Sequence, residues 1–162
     1  MYQSELYSVP DLSFEYANMS AAGLREDPKV CGTLLIFYRG LHSESCVRFL
    51  TGLAYYTRSL TKLGIEVVAV SADDRQRAMA LAARLGRTDL RIAYGLSQED
   101  AEVWGLESLN IAALPFFEPA IFVLNKQRTQ LYASPKETSF AMPEPLSVVN
   151  AIKHIAATFK VL

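Results

Sequence analysis

The sequence predicts an α/β fold, a central mixed β-sheet with helices on both faces. Three observations carry this. Thr33 to Tyr38, "TLLIFY", is an unbroken apolar run of strand formers, the pattern of a strand covered on both faces. A second such run, "IEVVAVS" at 65–71, follows a stretch of helical periodicity, so the two strands and their helix make a βαβ unit with a right-handed crossover. A third apolar strand, "AIFVLN" at 120–125, is followed by an antiparallel return at Gln130 to Ala133. Parallel strands first and a hairpin late make a small mixed sheet.

Between these strands the helices follow from periodicity and punctuation. Ser43 can cap a helix running to about Lys62, in which Cys46, Leu50, Leu53, Thr57 and Leu60 share one buried stripe. Arg58 and Lys62 then suit the dipole of its last turn, and Gly64 ends it. Asp73 and Asp74 open a second helix with Ala78, Met79, Ala82 and Leu85 inward and Gly86 at its close. A short strand is predicted around Leu90 to Tyr94. Ser97-Gln98-Glu99-Asp100 resembles a capping box before a short helix that ends at Gly105. Residues 106–118 read as an apolar loop. Pro145 suits the first turn of a last helix, with Val148, Val149, Ile152, Ile155 and Phe159 inward.

At 162 residues the chain fits one domain, 1–162, with a real core. Its 51% hydrophobic and 20% charged residues are those of an ordinary globular protein. Lys plus Arg number 16 and Asp plus Glu 17, so the net charge is 16 − 17 = −1. That balance gives no reason to expect nucleic acid or an anionic membrane as partner. The basic residues of 84–91 alternate with apolar ones and read as a solvated helix face. No run is long enough to span a membrane, and the N-terminus does not read as a signal peptide. The Asn18-Met19-Ser20 sequon carries no weight without such a signal. Two cysteines are too few for a disulfide framework, so the reducing cytoplasm is the expected location.

The informative stretch is "YRGLHSESC", residues 38–46, which delivers a thiol to the start of a helix. Sites in such sheets gather beyond the C-terminal ends of the parallel strands. With Ser43 as cap, Cys46 takes the third helical position, within the positive field of the unpaired N–H groups, where a thiolate is stabilised. The Ser43 hydroxyl could cap the backbone and also bond the sulfur, and Arg39 and His42 could add positive charge. The competing reading makes Cys46 a small buried hydrophobe on the inner stripe.

Together "FYRGLHSESC" and "EVVAVSADD" resemble the alkyl hydroperoxide reductase and thiol-specific antioxidant (peroxiredoxin-like) proteins, the redoxin branch of the thioredoxin-fold superfamily. A subgroup with a "YRGLHCPxC" motif is similar at the same place, and its later segments resemble "YGLSQEDAEVWGL" and "EPAIFVL". Val9-Pro10-Asp11-Leu12 also resembles the start of redoxin domains, so the similarity extends over roughly residues 9 to 159. The resemblance implies a thioredoxin-like fold and makes Cys46 the peroxidatic nucleophile, with Ser43 the residue that orients it. Here the first cysteine of the dithiol is Ser43 and the proline between them is Glu44, so dithiol exchange within this motif is unavailable. Arg39 stands where the family has proline, and Pro119 where it has an arginine that polarises the peroxide. Arg39 could substitute for that arginine, while Pro119 resembles the thioredoxin cis-proline that lies against the thiol. Tyr38, His42 and Pro119 complete the expected substrate pocket. The implied partners are a hydroperoxide or disulfide substrate and an external thiol reductant; no cofactor is implied.

Other candidates are weaker. Cys31 lies at the start of the first strand, and eight extended residues span roughly 26 Å, so it reads as structural. Cys31, His42 and Cys46 lack four ligands at a recognised metal spacing. No GxGxxG or P-loop pattern occurs, and a Ser43 hydrolase has no oriented base. His154 reads as a surface residue, Trp104 and Phe116-Phe117 as core or interface. The apolar loop could line an access groove or a homodimer contact. The alternative to an enzyme is a non-catalytic or regulatory redoxin-fold binding module that has lost its dithiol.

Overall fold

The computed structural model describes residues 8–18, 30–111, 114–134 and 142–159. In chain order the elements are β1 (Glu15–Tyr16), β2 (Gly32–Phe37), α1 (Glu44–Ala54), α2 (Thr57–Lys62), β3 (Ile65–Val70), α3 (Arg75–Leu85), β4 (Arg91–Tyr94), α4 (Gln98–Val103), β5 (Ser108–Ile111), β6 (Leu114–Phe117), β7 (Ala120–Asn125), β8 (Gln130–Ala133) and α5 (Pro145–Phe159). Six strands form one sheet in the order β1-β4-β3-β2-β7-β8. The strands β2, β3 and β4 are parallel, while β7 runs antiparallel to β2, β8 to β7 and β1 to β4. The mixed sheet expected from the sequence is therefore present, with β2 inside it.

Side chains of β2 alternate between two cores. Leu34 and Ile36 pack with Leu50 and Leu53 of α1, Leu60 of α2, Leu81 of α3 and Val149 and Ile152 of α5. Leu35 and Phe37 face the other side, with Leu12, Phe14 and Tyr16 of the N-terminal segment, Ala101 of α4, Trp104 and Phe122. Covering both faces of a strand is why its sequence is apolar throughout rather than alternating. The N-terminal segment alternates instead: Leu12, Phe14 and Tyr16 are buried, and Asp11, Ser13 and Glu15 are exposed. Tyr16 also reaches Glu66, a buried carboxylate of β3 held by Arg91 of β4.

Three expectations need correction. The helix from Ser43 to Lys62 is two helices, because Tyr55 and Tyr56 donate to the carbonyls three residues back, Gly52 (3.3 Å) and Leu53 (2.9 Å), and tighten the chain out of α-geometry. The Ala54 carbonyl freed at that break accepts from the hydroxyls of Thr57 (2.9 Å) and Thr88 (3.2 Å). The stripe survives the break, with Cys46, Leu50, Leu53, Thr57 and Leu60 all buried. In α3 the inward stripe is Ala78 and Leu81 flanked by Ala82 and Leu85; Met79 lies off it, 46% exposed. Residues 106–118 are no plain loop, since β5 and β6 pair antiparallel from Ser108↔Phe117 to Ile111↔Leu114. Pro115 is tolerated there because both strands of a two-stranded ribbon are edges. In α5, Val149 and Ile152 are buried and Val148 and Ile155 half-buried, while the Phe159 side chain lies outside the described residues. No helix among the described residues is long and apolar enough to cross a membrane.

The contact of α1 with α5 depends on Gly52, where a Cβ would stand 2.7 Å from Cγ of Pro145. A proline ring cannot swing aside as a long side chain would. Gly52→Ala gains about 1 kcal/mol of helix propensity, but overpacking costs about 1–3 kcal/mol. The expected net result is a lower urea unfolding midpoint; a midpoint at or above wild type means that α5 shifts freely.

Candidate active site around Cys46

Pairing in the sheet brings three chain segments to one level. Phe37, the last residue of β2, lies opposite Val70 at the end of β3 and Ala120 at the start of β7. The residues just beyond these positions, 38–43, 71–74 and 118–119, therefore share one end of the sheet. Cys31 sits at the other end, its N–H donating to Gly64 O (2.7 Å). Both cysteines are free thiols.

The loop from β2 into α1 is shaped by Gly40 and fastened by Asp73. Gly40 has φ +132°, which side-chain-bearing residues rarely adopt, and a Cβ on it would stand 2.6 Å from Asp73 Oδ1. Leu41 N–H donates to Asp73 Oδ2 (2.8 Å), and Ser43 N–H closes the turn onto Gly40 O (3.1 Å). Asp73 is itself held by its N–H to Ser71 Oγ (3.2 Å) and by Gly95 N–H donating to its carbonyl (3.2 Å). A buried carboxylate thus ties the loop before Cys46 to the connection between β3 and α3.

Ser43 is the N-cap of α1, with extended backbone at φ −89° and ψ 104°. Its Oγ accepts from Cys46 N–H (3.4 Å) and lies 3.3 Å from Ser45 Oγ, while its carbonyl accepts from Val47 N–H (3.0 Å). Cys46 therefore occupies the third helical position, as the spacing predicts, and its side chain is 0% exposed within the core of Leu34, Ile36 and Leu50. The serine hydroxyl serves the backbone N–H of Cys46.

Arg39 points elsewhere. Its Nη2 donates to Glu118 Oε2 (2.7 Å), a carboxylate whose side chain is 8% exposed. Glu118 N–H in turn donates to Glu107 O (2.8 Å), so the pair links the thiol loop to the chain before β7. His42 is exposed and its ring lies 4.2 Å from that of Phe116 at the end of β6. Pro119 is buried between Glu118 and β7. There is no cis peptide bond among the described residues, so Pro119 lacks the geometry of the thioredoxin cis-proline that it resembles in sequence.

Tyr38 is 2% exposed, and its hydroxyl is buried without a hydrogen bond of normal geometry. The nearby Ser71 hydroxyl is engaged by Asp73 N–H. Burial pushes the Tyr38 phenol well above the ordinary tyrosine range; the Ser71 hydroxyl pulls against it, and the charges of Asp73 and Cys46 add smaller pushes upward.

Asp73 and Glu118 are the residues that sequence reasoning misses. Asp73 is read there as a helix opener, but Asp74 alone caps α3, accepting from Arg77 N–H (2.9 Å), which leaves Asp73 to the loop. For Glu118 the one available signal is a charge set between "LPFF" and "PAIF".

Burial raises the Asp73 pKa above the usual 3.8, outweighing Leu41 N–H, the charges of His42 and Arg77 and the Ser71 hydroxyl. The native state then keeps this proton to higher pH than the unfolded chain does. Asp73 accordingly disfavours the fold above its raised pKa, and this penalty disappears as pH falls toward the usual carboxylate value. Asp73→Asn retains an acceptor for Leu41 without the charge. Urea unfolding of both proteins should show wild type gaining stability relative to Asp73→Asn as pH falls through that window. A difference that does not vary with pH means that the carboxyl titrates normally.

No protein-family model matches the chain. No curated protein matches it. Solved structures are similar in fold. Peroxidoxin BcpB from Mycobacterium tuberculosis aligns over 93% of this chain and 95% of its own, with 16% identity and a TM-score of 0.70. AhpC from Enterococcus faecalis aligns over 94% and 93%, with 16% identity and a TM-score of 0.71. The bacterioferritin comigratory protein of Xanthomonas campestris, which has alkyl peroxide reduction activity, aligns over 98% and 99%, with 13% identity and a TM-score of 0.72. The chain has the thioredoxin-like fold of these peroxiredoxin structures, with helices on both faces of its mixed sheet.

Proposed function

We propose that the chain is a thiol-dependent oxidoreductase, a single-cysteine peroxidase that reduces a hydroperoxide through a Cys46 sulfenic acid. The observation that carries this reading is the placement of Cys46 in the first turn of α1, its N–H capped by Ser43, beyond the C-terminal end of β2. The alkyl peroxide reduction of the Xanthomonas relative in fold accords with it.

In this reading Cys46 Sγ, having lost its proton to solvent, attacks the outer oxygen of the peroxide. An S–O bond forms as the O–O bond breaks, and the alkoxide takes a proton and leaves as alcohol. The sulfur is oxidised by two electrons and the peroxide reduced by two. One external thiol condenses with the sulfenic acid, releasing water and leaving a mixed disulfide. A second thiol displaces Cys46 and departs as the external disulfide. Cys31 cannot assist across a strand of six residues, about 20 Å. Because Cys46 is 0% exposed, the turn Ser43–Cys46 must move off the core before the sulfur meets a substrate. Arg39 would polarise the peroxide only after leaving Glu118, whereas the Tyr38 hydroxyl, in the same buried core as Cys46, has no hydrogen bond of normal geometry to give up.

A second reading, the non-catalytic or regulatory redoxin-fold module, rests on the burial of Cys46 and the engagement of Arg39 by Glu118. Peroxide chemistry separates the two. In a Cys31→Ser background, brief exposure to one equivalent of hydroperoxide followed by a sulfenate-trapping dione should label Cys46, and further substitution by serine should abolish the label. An unlabelled Cys46 under conditions that label a free thiol would falsify the peroxidase reading and leave the module.

The same experiment tests the loop anchor. Glu118→Gln weakens the hold on Arg39 while retaining a hydrogen-bond acceptor, and should speed Cys46 labelling. An unchanged or slower rate means that Arg39 takes no part.

A further inference from the structure

A groove of about 1160 Å³ lies at the end of the sheet remote from Cys46, where α1 and α2 meet the end of α3 and the Thr88–Asp89 approach to β4. Its volume exceeds the roughly 300–1,000 Å³ of ordinary small-ligand clefts. Arg58, Lys62, Arg84 and Arg87 line it, against one carboxylate, Asp89. All four cations are exposed, and among the described residues no carboxylate pairs with any of them. Tyr55, 88% exposed, lines the same groove.

Helix dipoles account for only part of this. Lys62 and Arg84 stand in the last turns of α2 and α3, where a cation is favoured. Arg58 does not. The break at Tyr55-Tyr56 makes it the second residue of α2, at the positive end of a helix whose first turn holds no acidic residue. Arg87 lies past the Gly86 cap of α3. The fold thus gathers four cations from separate segments around one groove that holds a single carboxylate, Asp89, an excess of positive charge that favours an anionic ligand. Guanidinium forks match phosphate oxygens in pairs, and an exposed tyrosine offers a ring face for stacking.

We propose that this groove binds a ligand built on a chain of phosphates, held by Arg58, Lys62, Arg84 and Arg87, with Tyr55 against an attached ring where the ligand carries one. A nucleoside triphosphate and an inorganic polyphosphate share this chemistry. Calorimetric titration of the full chain with ATP and with inorganic tripolyphosphate, at about 0.1 M salt, tests it. Saturable binding of at least one probe is expected. The double variant Arg58→Glu/Arg87→Glu should weaken it at least about tenfold. Arg75→Glu, at the far end of α3, should leave it unchanged. Tighter binding of ATP that Tyr55→Ala reduces to the level of tripolyphosphate supports a nucleotide; equal affinities support the phosphate chain alone. Circular dichroism checks folding, and Arg58→Gln/Arg87→Gln replaces the double reversal if that protein does not fold. Absence of saturable binding by both probes, binding insensitive to the groove substitutions, or an equal loss in Arg75→Glu overturns the proposal.

Discussion

Everything at the Cys46 end of the molecule depends on the double-sided pairing of β2. Each of its six residues is registered against both β3 and β7, and its side chains fill two cores at once. Such a strand cannot slip by one residue without turning both sets of side chains to the wrong face. Its C-terminal end is therefore fixed relative to the ends of β3 and β7, and the loop carrying the thiol starts from a rigid point. A short loop on a rigid strand can place a helix terminus to within a fraction of a turn, which is the accuracy that a reactive side chain requires.

That loop is held by charge as well as by packing. Asp73 grips it at Leu41 and Glu118 grips it at Arg39, and both carboxylates are buried. Burying a carboxylate is unfavourable unless donors satisfy it. The two differ in kind: Glu118 meets a permanent cation, whereas Asp73 relies chiefly on backbone geometry and carries the raised pKa. The loop is consequently fastened at one point by an ion pair and at the other by a hydrogen bond whose strength follows the protonation of its acceptor.

Much of this was legible in the chain. The strands β2, β3 and β7 announce themselves because burial on both faces leaves no room for polar residues. Ser43 and Cys46 are three positions apart, so cap and thiol form one local pattern. The break between α1 and α2 is hidden because the buried stripe from Cys46 to Leu60 stays in phase across it. The ribbon of β5 and β6 is masked by Pro115, and the alternation of Leu12, Phe14 and Tyr16 is clear but supports a strand of only two residues. What the sequence conceals most is pairing at a distance. Arg39 and Glu118 are 79 positions apart, and Leu41 and Asp73 are 32 apart. Any of several carboxylates could have met either group, and only the register of the sheet decides between them.

The phenol of Tyr38 carries one more implication. A buried hydroxyl without a hydrogen bond of normal geometry forgoes its bonds to water and recovers little from the protein, a loss of roughly 1–3 kcal/mol. Phenylalanine would fill the same volume in the same core without that loss. The molecule thus keeps at position 38 an oxygen that packing alone would discard. Under the reading proposed above, that oxygen is a hydrogen-bond donor held in reserve for a state in which the start of α1 opens.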